Sequence, residues 1–500
     1  MNNKFFIPLL SITLLFGGFQ QATAQKPATT AKAKSKPFQL TVKMKNYPDS
    51  LNHVLLLGRY YGGNQYITDT IKYNPKTNHY TVSADSPKEG GLYLLITADR
   101  RYAELIIDKD QQYIVEAEYP DLLTSIKFIG SPENQLYQDF AKDGTTDMKK
   151  LQKLNAEYKR IVEETLPYDS VEAEKIKKEV TEIYKEMDGK KDQFMKDHPE
   201  HLMSILFRAQ KEIDVPAAPE EIPDSLKQEW QYEYYKNHYF DNFDLCDDRV
   251  IRTPLFHQRL VDFCDKVLKM QLPDTVKFTL ERLVEKTRCA PELFKYVVWY
   301  TVDKYQRSEI IGHDAIWVHL AKRYYLTGDA FWASQGIVEN FKKRIERIEP
   351  LLIGNVPPEF SCPDTTIETP NERWVSVFSS KRNYTVVIFW SITCGHCKRA
   401  LPKWHELYKE KGQELGIDVI AICKDSDIPA WKKYIKDYNL EDWTNLNGKT
   451  ATLDYNDKWD IQSTPVIYIL DRNHRIVTKR IDPDVAEPII RYWEKTHYKR

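Results

Sequence analysis

The spacing of hydrophobic residues changes twice along this chain, which limits the folds that it can adopt. From Phe38 apolar and polar residues alternate, as in half-buried strands, and short strand-like runs separated by Gly-containing turns continue to Glu118. From Ser131 the apolar residues recur at spacings of three and four, as in amphipathic helices. After Gly354 short buried strands alternate with helices. A chain of 500 residues with three such patterns is too long for one core, so we expect several domains.

The three patterns predict a multidomain fold and its boundaries. The short strands favour an all-β, sandwich-like N-terminal domain. The helical spacing predicts a central all-α region, which includes a helical hairpin broken near Pro167 and many aromatic residues that we interpret as core. The last pattern predicts an α/β domain. The predicted segments are a signal peptide at 1–24, a flexible linker at 25–36, a β-rich domain at 37–130, a helical domain at 131–348 and an α/β domain at 349–500.

The N-terminus predicts export. Lys4 precedes a short apolar run from Phe5 to Phe16, and Ala22-Thr23-Ala24 has the small-x-small pattern of a cleavage site. An uncleaved membrane anchor is the alternative, but spanning a bilayer takes about 20 apolar residues and this run is shorter. We therefore expect a periplasmic protein, soluble or loosely associated with the cell envelope.

The charge balance argues against one class of partner. The formal net charge is −1 and the sequence pI is about 6.9, because acidic residues match basic ones almost one for one. Binding to a nucleic acid relies on a clustered surplus of Lys and Arg. No nucleic-acid partner is expected.

Two of the seven cysteines, Cys394 and Cys397, are closely spaced between a predicted strand and a predicted helix. The free N–H groups and the positive dipole end of a helix N-terminus stabilise a thiolate. Cys394 is therefore expected to have a lowered pKa and to attack, and Cys397 to resolve the mixed disulfide by forming a Cys394–Cys397 disulfide. A zinc site is the alternative. Because zinc needs four ligands and the sequence has no second such pair, we expect neither a metal nor a cofactor.

Gly395 and His396 lie between the two cysteines and are predicted to tune them. A protonated His396 would stabilise the Cys394 thiolate and raise the reduction potential, whereas a solvent-facing His396 would change little. Most of the other cysteines are expected to be buried, with at least one unpaired: Cys246, Cys264, Cys289, Cys362 and Cys423. Cys362 is predicted on a loop, as a passive residue or a third redox thiol, and Cys423 as an inert residue at the end of a buried strand.

The segment from Phe389 to Pro402, FWSITCGHCKRALP, resembles the active-site segment of thioredoxin-like proteins, most closely the extracytoplasmic TlpA/ResA-type oxidoreductases. Pro402 matches the proline that bends the active-site helix, and Gln462 to Pro465 resembles the cis-proline loop. The resemblance implies a thioredoxin fold for 349–500, thiol–disulfide oxidoreductase activity and substrate binding by backbone at Thr464 and Pro465. It also implies protein thiols or disulfides as partners and a membrane protein as electron donor. The upstream regions more loosely resemble domains that precede such folds in exported proteins of Bacteroidetes-type bacteria.

Three positions depart from the family pattern. Thr393 occupies the usual place of Trp, Ile388 that of a buried Asp, and Ala400 that of a Glu found in some members. Those carboxylates can relay protons to the second cysteine. With them absent, water or His396 could accept the proton of Cys397, and we hypothesise that resolution by Cys397 is slow.

Two functions follow from these features. The first is a reductase or isomerase of protein disulfides outside the cytoplasm, and the Gly-His pair between the cysteines resembles that of protein disulfide isomerases. The second is a cell-envelope protein that binds a client or partner through its upstream domains, with a secondary redox domain.

Overall fold

The computed structural model describes residues 37–164, 170–364 and 373–498; the predicted signal peptide, the linker and the break near Pro167 lie outside these residues. The strands are, in chain order, β1 (Phe38–Lys45), β2 (Leu55–Tyr61), β3 (Asn64–Asn74), β4 (His79–Ala84), β5 (Gly91–Thr97), β6 (Tyr102–Ile107), β7 (Gln112–Glu118), β8 (Lys127–Ile129), β9 (Ser361–Pro363), β10 (Trp374–Ser376), β11 (Tyr384–Trp390), β12 (Ile417–Cys423), β13 (Thr444–Asn447), β14 (Val466–Asp471) and β15 (Ile476–Lys479). The α-helices are α1 (Leu122–Ser125), α2 (Pro132–Glu164), α3 (Ser170–Asp197), α4 (Leu202–Gln210), α5 (Asp224–His238), α6 (Pro254–Asp262), α7 (Pro273–Lys286), α8 (Pro291–Gln306), α9 (His313–Tyr324), α10 (Gln335–Ile348), α11 (Gly395–Leu415), α12 (Ile428–Asp437), α13 (Tyr455–Lys458) and α14 (Ala486–His497).

The chain divides into two compact units. The first contains the residues up to 270 together with 286–296, and the second contains 271–285 together with 297–500. The β-rich region and the early helices belong to the first unit, and the late helices share the second unit with the α/β region. The predicted fold class, a β-rich domain followed by helices and an α/β domain, is confirmed.

The β-rich region of the first unit is one eight-stranded sheet in the order β6-β5-β2-β3-β4-β1-β7-β8. Neighbouring strands are antiparallel, except that β1 and β7 are parallel. In β1 every second side chain is buried, as the alternating sequence predicts. Strands from both halves of the sheet contribute to one core, which contains Phe38, Leu55, Leu105 and Val115.

The edge strand β6 is covered by a side chain at the start of α2. The Asn134 amide donates to the carbonyl of Ile106 and accepts from its N–H, with both distances 2.7 Å. The side chain thus replaces one rung of a neighbouring strand and satisfies backbone groups that an edge would leave free. At the tip of the β2–β3 hairpin, Gly62 has a φ of +58° and packs against the ring of Tyr296, which leaves no space for a Cβ atom.

Two long helices of the first unit, α2 and α3, pack along each other through a small apolar cluster. Its buried members are Ile161, Ala173 and Ile176. The first unit also contains a disulfide between two exposed residues, Cys246 and Cys289. This pairing was not predicted. Cys264, Cys362 and Cys423 are buried, as expected, and are not disulfide-bonded. The predicted loop at Cys362 is wrong, because Cys362 lies in β9 and pairs with Val375 of β10.

The α/β region of the second unit contains a five-stranded sheet in the order β13-β12-β11-β14-β15. Strands β11, β12 and β13 are parallel, whereas β14 and β15 are antiparallel to their neighbours. Every residue of β11 is buried, because its alternate side chains belong to two cores on opposite faces. One core includes Trp404 of α11, Trp431 of α12 and Trp493 of α14, and the other includes Trp459. The sheet is therefore covered on both faces, and the carboxyl ends of β11 and β12 lie side by side.

The late helices contact this sheet within the second unit. The Lys479 ammonium at the end of β15 binds the carboxylate of Asp314 in α9 and the carbonyl of Leu351. The backbones of Gly354 and Asn355 pair with that of Ile476 at 2.8 Å in both hydrogen bonds. These contacts join the late helices to the edge of the α/β sheet, in agreement with the assignment of both to one compact unit.

Candidate functional site

Cys394 lies at the junction between the central strand and the helix that follows it. Strand β11 ends at Trp390, a three-residue loop follows, and Cys394 is the N-cap residue of α11. Its sulfur accepts a hydrogen bond from the N–H of Cys397 at 3.3 Å, so it occupies the place that a Ser or Asp oxygen takes in an ordinary N-cap. Pro402 lies inside α11, where it matches the position named from the sequence.

The two thiols differ in exposure and acidity. Cys394 is partly exposed, whereas Cys397 is buried, and both are free thiols. Burial tends to raise the pKa of Cys394, but hydrogen bonds that involve Cys397, Thr464 and the backbone N–H of His396 outweigh it and hold this pKa below 9.0. Burial raises the pKa of Cys397 to about 12, and the neighbouring Cys394 adds to that effect. One sulfur is thus suited to attack as a thiolate and the other stays protonated.

The loop before β14 approaches the same sulfur. The Cys394 thiol donates to the carbonyl of Thr464 at 3.0 Å, and the peptide bond between Thr464 and Pro465 is cis. The structure therefore brings the pair Cys394 and Cys397 next to Thr464 and Pro465, although Thr464 lies 70 positions after Cys394 in the sequence.

Gly395 and His396 are exposed in the first turn of α11. A Cβ atom at Gly395 would meet nothing within 4 Å, so this position tolerates a side chain. The Arg399 guanidinium lies 2.9 Å from Nδ1 of His396. Because an arginine can only donate, Nδ1 of His396 is the acceptor in this contact, and Arg399 places a permanent positive charge beside His396.

A carboxylate that the sequence analysis missed holds the loop before Cys394. One oxygen of Asp425 accepts from the Ser391 hydroxyl at 3.0 Å, and the other accepts from the N–H of Ile392 at 2.6 Å. Asp425 follows β12 by two residues, so it lies beside the end of β11 at the shared carboxyl edge of the parallel strands. That placement was available from the sequence, since β11 and β12 were both predicted and ligands gather at this edge of open α/β sheets.

Cys397 faces an apolar and aromatic environment. Ile388 is fully buried in the same core cluster, and Ala400 packs against its edge. The ring of Tyr434 lies 4.9 Å from that of Trp390, and its hydroxyl is buried. Burial raises the pKa of Tyr434, with smaller contributions from Tyr438 and from Cys397 and Cys394.

Comparison with known families agrees with this geometry. Residues 382–476 match a family model described as thioredoxin-like, a range that includes the strand β11, both cysteines and the Thr464–Pro465 loop. The C-terminal domain is thioredoxin-like. Residues 169–339 match a second model, described as a domain of unknown function (DUF5106).

Solved structures similar to this chain include a thioredoxin-like protein from Bacteroides caccae, with 18% identity, 56% of this chain and 99% of that chain covered and a TM-score of 0.44. A domain of a possible thiol-disulfide isomerase from Cytophaga hutchinsonii has 28% identity, covers 30% of this chain and 99% of that chain, and gives a TM-score of 0.28. A thiol-disulfide oxidoreductase from Bacteroides fragilis has 22% identity, covers 28% of this chain and 98% of that chain, and gives a TM-score of 0.24. No curated protein matches this chain.

Two observations concern all of the residues that the structure describes. Within residues 37–164, 170–364 and 373–498, no group of three or more His, Cys, Asp or Glu side chains is arranged to hold a metal ion. In the same ranges no helix is both long enough and apolar enough to cross a membrane.

Proposed function

We propose that this chain is an exported thiol–disulfide oxidoreductase that reduces or isomerises protein disulfides through Cys394 and Cys397. The observation that carries the proposal is the difference between the two sulfurs: Cys394 is partly exposed with a lowered pKa, and Cys397 is buried with a raised one. Thiol–disulfide exchange by a pair needs one sulfur of each kind, a nucleophile that meets the substrate and a second sulfur that is shielded from it.

The proposed reaction has two exchanges. The Cys394 thiolate attacks one sulfur of a client disulfide, the client S–S bond breaks, and a mixed disulfide forms. Cys397 then attacks Cys394, the intramolecular disulfide forms, and the client leaves with its second sulfur reduced. As Cys397 attacks, its thiol proton passes through water to the departing client thiolate. A client strand pairs with the backbone at Thr464 and Pro465 during both steps.

Two features support a location outside the cytoplasm. The sequence of residues 1–24 has the pattern of a cleaved signal, and the exposed Cys246–Cys289 disulfide suits an oxidising compartment. In the periplasm the intramolecular disulfide has to be reduced again, so we propose a membrane protein as the electron donor.

The first test is the reactivity of the two thiols in the whole mature chain. At pH 7 iodoacetamide should modify Cys394 at least tenfold faster than Cys397, because a difference of one pKa unit already changes the thiolate fraction about tenfold. After unfolding the two rates should become equal. The variant Cys394→Ser should lose insulin reduction, whereas Cys264→Ser, which removes a buried thiol of the first unit, should retain it.

The reduction potential of the pair decides the direction of the reaction. A value near −180 mV, roughly that of protein disulfide isomerase, supports isomerisation, and a value below about −250 mV supports a reductase. If glutathione buffers never convert the two thiols into a disulfide, the proposal is wrong, and a protein that binds a client through its upstream domains becomes the better interpretation.

A further inference from the structure

The loop between β11 and α11 is held by a hydrogen-bond network centred on one carboxylate. Oδ1 of Asp425 is 3.0 Å from the Ser391 hydroxyl, and Oδ2 is 2.6 Å from the N–H of Ile392. The Ser391 hydroxyl is also 2.9 Å from that of Thr393 and accepts from the Thr393 N–H at 3.2 Å. All three residues of the loop are therefore tied, directly or through Ser391, to Asp425.

Asp425 is itself fixed from two sides. The buried amide of Asn447, on β13, donates to the Asp425 carbonyl at 2.8 Å. The Cys423 thiol donates to Oδ2 of Asp425 at 3.4 Å. Burial raises the pKa of this thiol to about 12. The backbone N–H of Lys424 also binds the carbonyl of Trp390 at 3.0 Å. Residues of the sheet thus fix the position of Asp425, and its carboxylate in turn fixes the position of the loop.

The loop determines where the attacking sulfur lies. The N–H of Cys394 donates to the carbonyl of Ser391 at 3.2 Å, which closes the loop directly before the helix. From this position the sulfur of Cys394 accepts from the Cys397 N–H and reaches the Thr464 carbonyl. A shift of the loop would move the sulfur away from the N–H groups that stabilise its thiolate.

We propose that Asp425 is a positioning residue for disulfide exchange, whose carboxylate holds the Ser391–Thr393 loop so that Cys394 caps α11 with its sulfur. This inference rests on the proposed function for its purpose, although its physical content concerns only the state of Cys394. The Asp425 carboxylate forms its hydrogen bonds with Ser391, Ile392 and Cys423 and with neither cysteine of the pair, so it acts through the loop.

Charge and position predict opposite effects of removing Asp425. If its negative charge acted directly on Cys394, its removal would favour the thiolate and speed alkylation at neutral pH. If it acts by holding the loop, its removal weakens the hydrogen bonds to the thiolate and slows alkylation. Loss of one charge-assisted hydrogen bond would slow alkylation at pH 7 roughly three- to tenfold, because the lower thiolate fraction is partly offset by greater nucleophilicity.

The experiment measures the pH profile of Cys394 alkylation by mass spectrometry in the mature chain, for Asp425→Ala, Asp425→Asn and Ser391→Ala. We expect the midpoint to move to higher pH in Asp425→Ala and Ser391→Ala, although the second substitution removes no charge. Asp425→Asn should fall between Asp425→Ala and the wild type, because its amide keeps one acceptor oxygen. Asp427→Asn is the matched control, since Asp427 caps α12 two residues further on and its carboxylate accepts from the N–H of Ala430 at 3.0 Å. Its profile should stay within twofold of the wild type.

Two results would overturn the inference: alkylation that becomes faster in Asp425→Ala, or profiles of Asp425→Ala and Ser391→Ala that match the wild type. Near-ultraviolet circular dichroism of each variant separates a local effect from unfolding, and if Asp425→Ala does not fold, Ser391→Ala decides alone. Failure of the proposed function is a separate result, because a pair that never forms a disulfide leaves the alkylation profile measurable.

Discussion

The buried carboxyl group of Glu133 should make the stability of the first unit depend on pH. Glu133 lies in the first turn of α2 and is 7% exposed, and both of its carboxylate oxygens are buried. Burial, and then the charges of Asp108 and Asp110, raise its pKa from 4.5 to about 7, against the opposing effect of Arg249. The folded state therefore favours the neutral acid.

The sign and size of the effect follow from the two pKa values. Below pH 4.5 the Glu133 carboxyl is protonated in both the folded and the unfolded chain, so it costs nothing. As the pH rises through 7 it is forced to ionise in the fold, and the full cost is then about 3 kcal/mol, at about 1.4 kcal/mol for each pKa unit. Glu133→Gln has nearly the same shape and no charge. We expect it to leave the free energy of unfolding unchanged at pH 4 and to increase it by about 1–3 kcal/mol at pH 8.

Urea unfolding of the mature chain at a series of pH values measures this difference. Because the chain has two units, the transition of the first unit has to be resolved, and a disulfide-intact sample keeps that unit comparable between variants. Glu116→Gln is the control, since Glu116 is a partly exposed carboxylate whose pKa is lowered by a hydrogen bond from Lys43. A gain for Glu133→Gln that is equal at pH 4 and pH 8, or no gain at either, would refute the reasoning.

Two other features of the first unit give predictions of stability. Serine in place of Cys246 and Cys289 should lower the free energy of unfolding by about 2–4 kcal/mol, because the crosslink closes a loop with a sequence separation of 43; a reductant should lower the urea midpoint of the wild type and leave that of the double variant unchanged. Gly62→Ala should cost about 1–3 kcal/mol, because its Cβ atom would overlap the Tyr296 ring at a positive φ. Gly144→Ala, where a Cβ atom meets nothing inside α2, should instead stabilise by about 0.5–1 kcal/mol in the same thermal or urea assay, and equal effects of the two substitutions would contradict this interpretation.

The parts of the fold that the sequence predicts best are the central strands. The ends of β11 and β12 were predicted to the residue, because a strand buried on both faces is a continuous apolar run with polar residues at its ends. Strand β13 was missed since it contains Asn445 and Asn447, which read as a loop. Both side chains are buried, and their amides donate to backbone carbonyls, which offsets the cost of removing them from water. These hydrogen bonds depend on the three-dimensional fold and could not be predicted from the local sequence.

The pair of cysteines at the site could be predicted, but its surroundings only in part. The motif and its place before a helix indicate which sulfur attacks, since the helix N-terminus is a local property of the sequence. The Cys246–Cys289 disulfide was not predictable, because several pairings of the remaining cysteines are compatible with the sequence. The contact between Cys394 and Thr464 rests on the family resemblance, since nothing in the local pattern joins residues 70 positions apart.

The placement of carboxylates relative to the two thiols separates the two steps of the proposed reaction. The family positions that carry a carboxylate near the second cysteine are Ile388 and Ala400 in this chain, and Cys397 lies in an apolar core with a pKa of about 12. Asp425 instead binds the loop before Cys394, so it bears on the first attack, and no carboxylate of the described residues forms a hydrogen bond with Cys397. We therefore expect the first exchange to be fast and the second to be limited by proton transfer to water or to the client thiolate. In single-turnover quench experiments the wild type should then accumulate mixed disulfide. The variant Cys397→Ser should lengthen the lifetime of the mixed disulfide without raising its amount. A wild type that never accumulates the mixed disulfide would show that Cys397 has a proton acceptor of another kind.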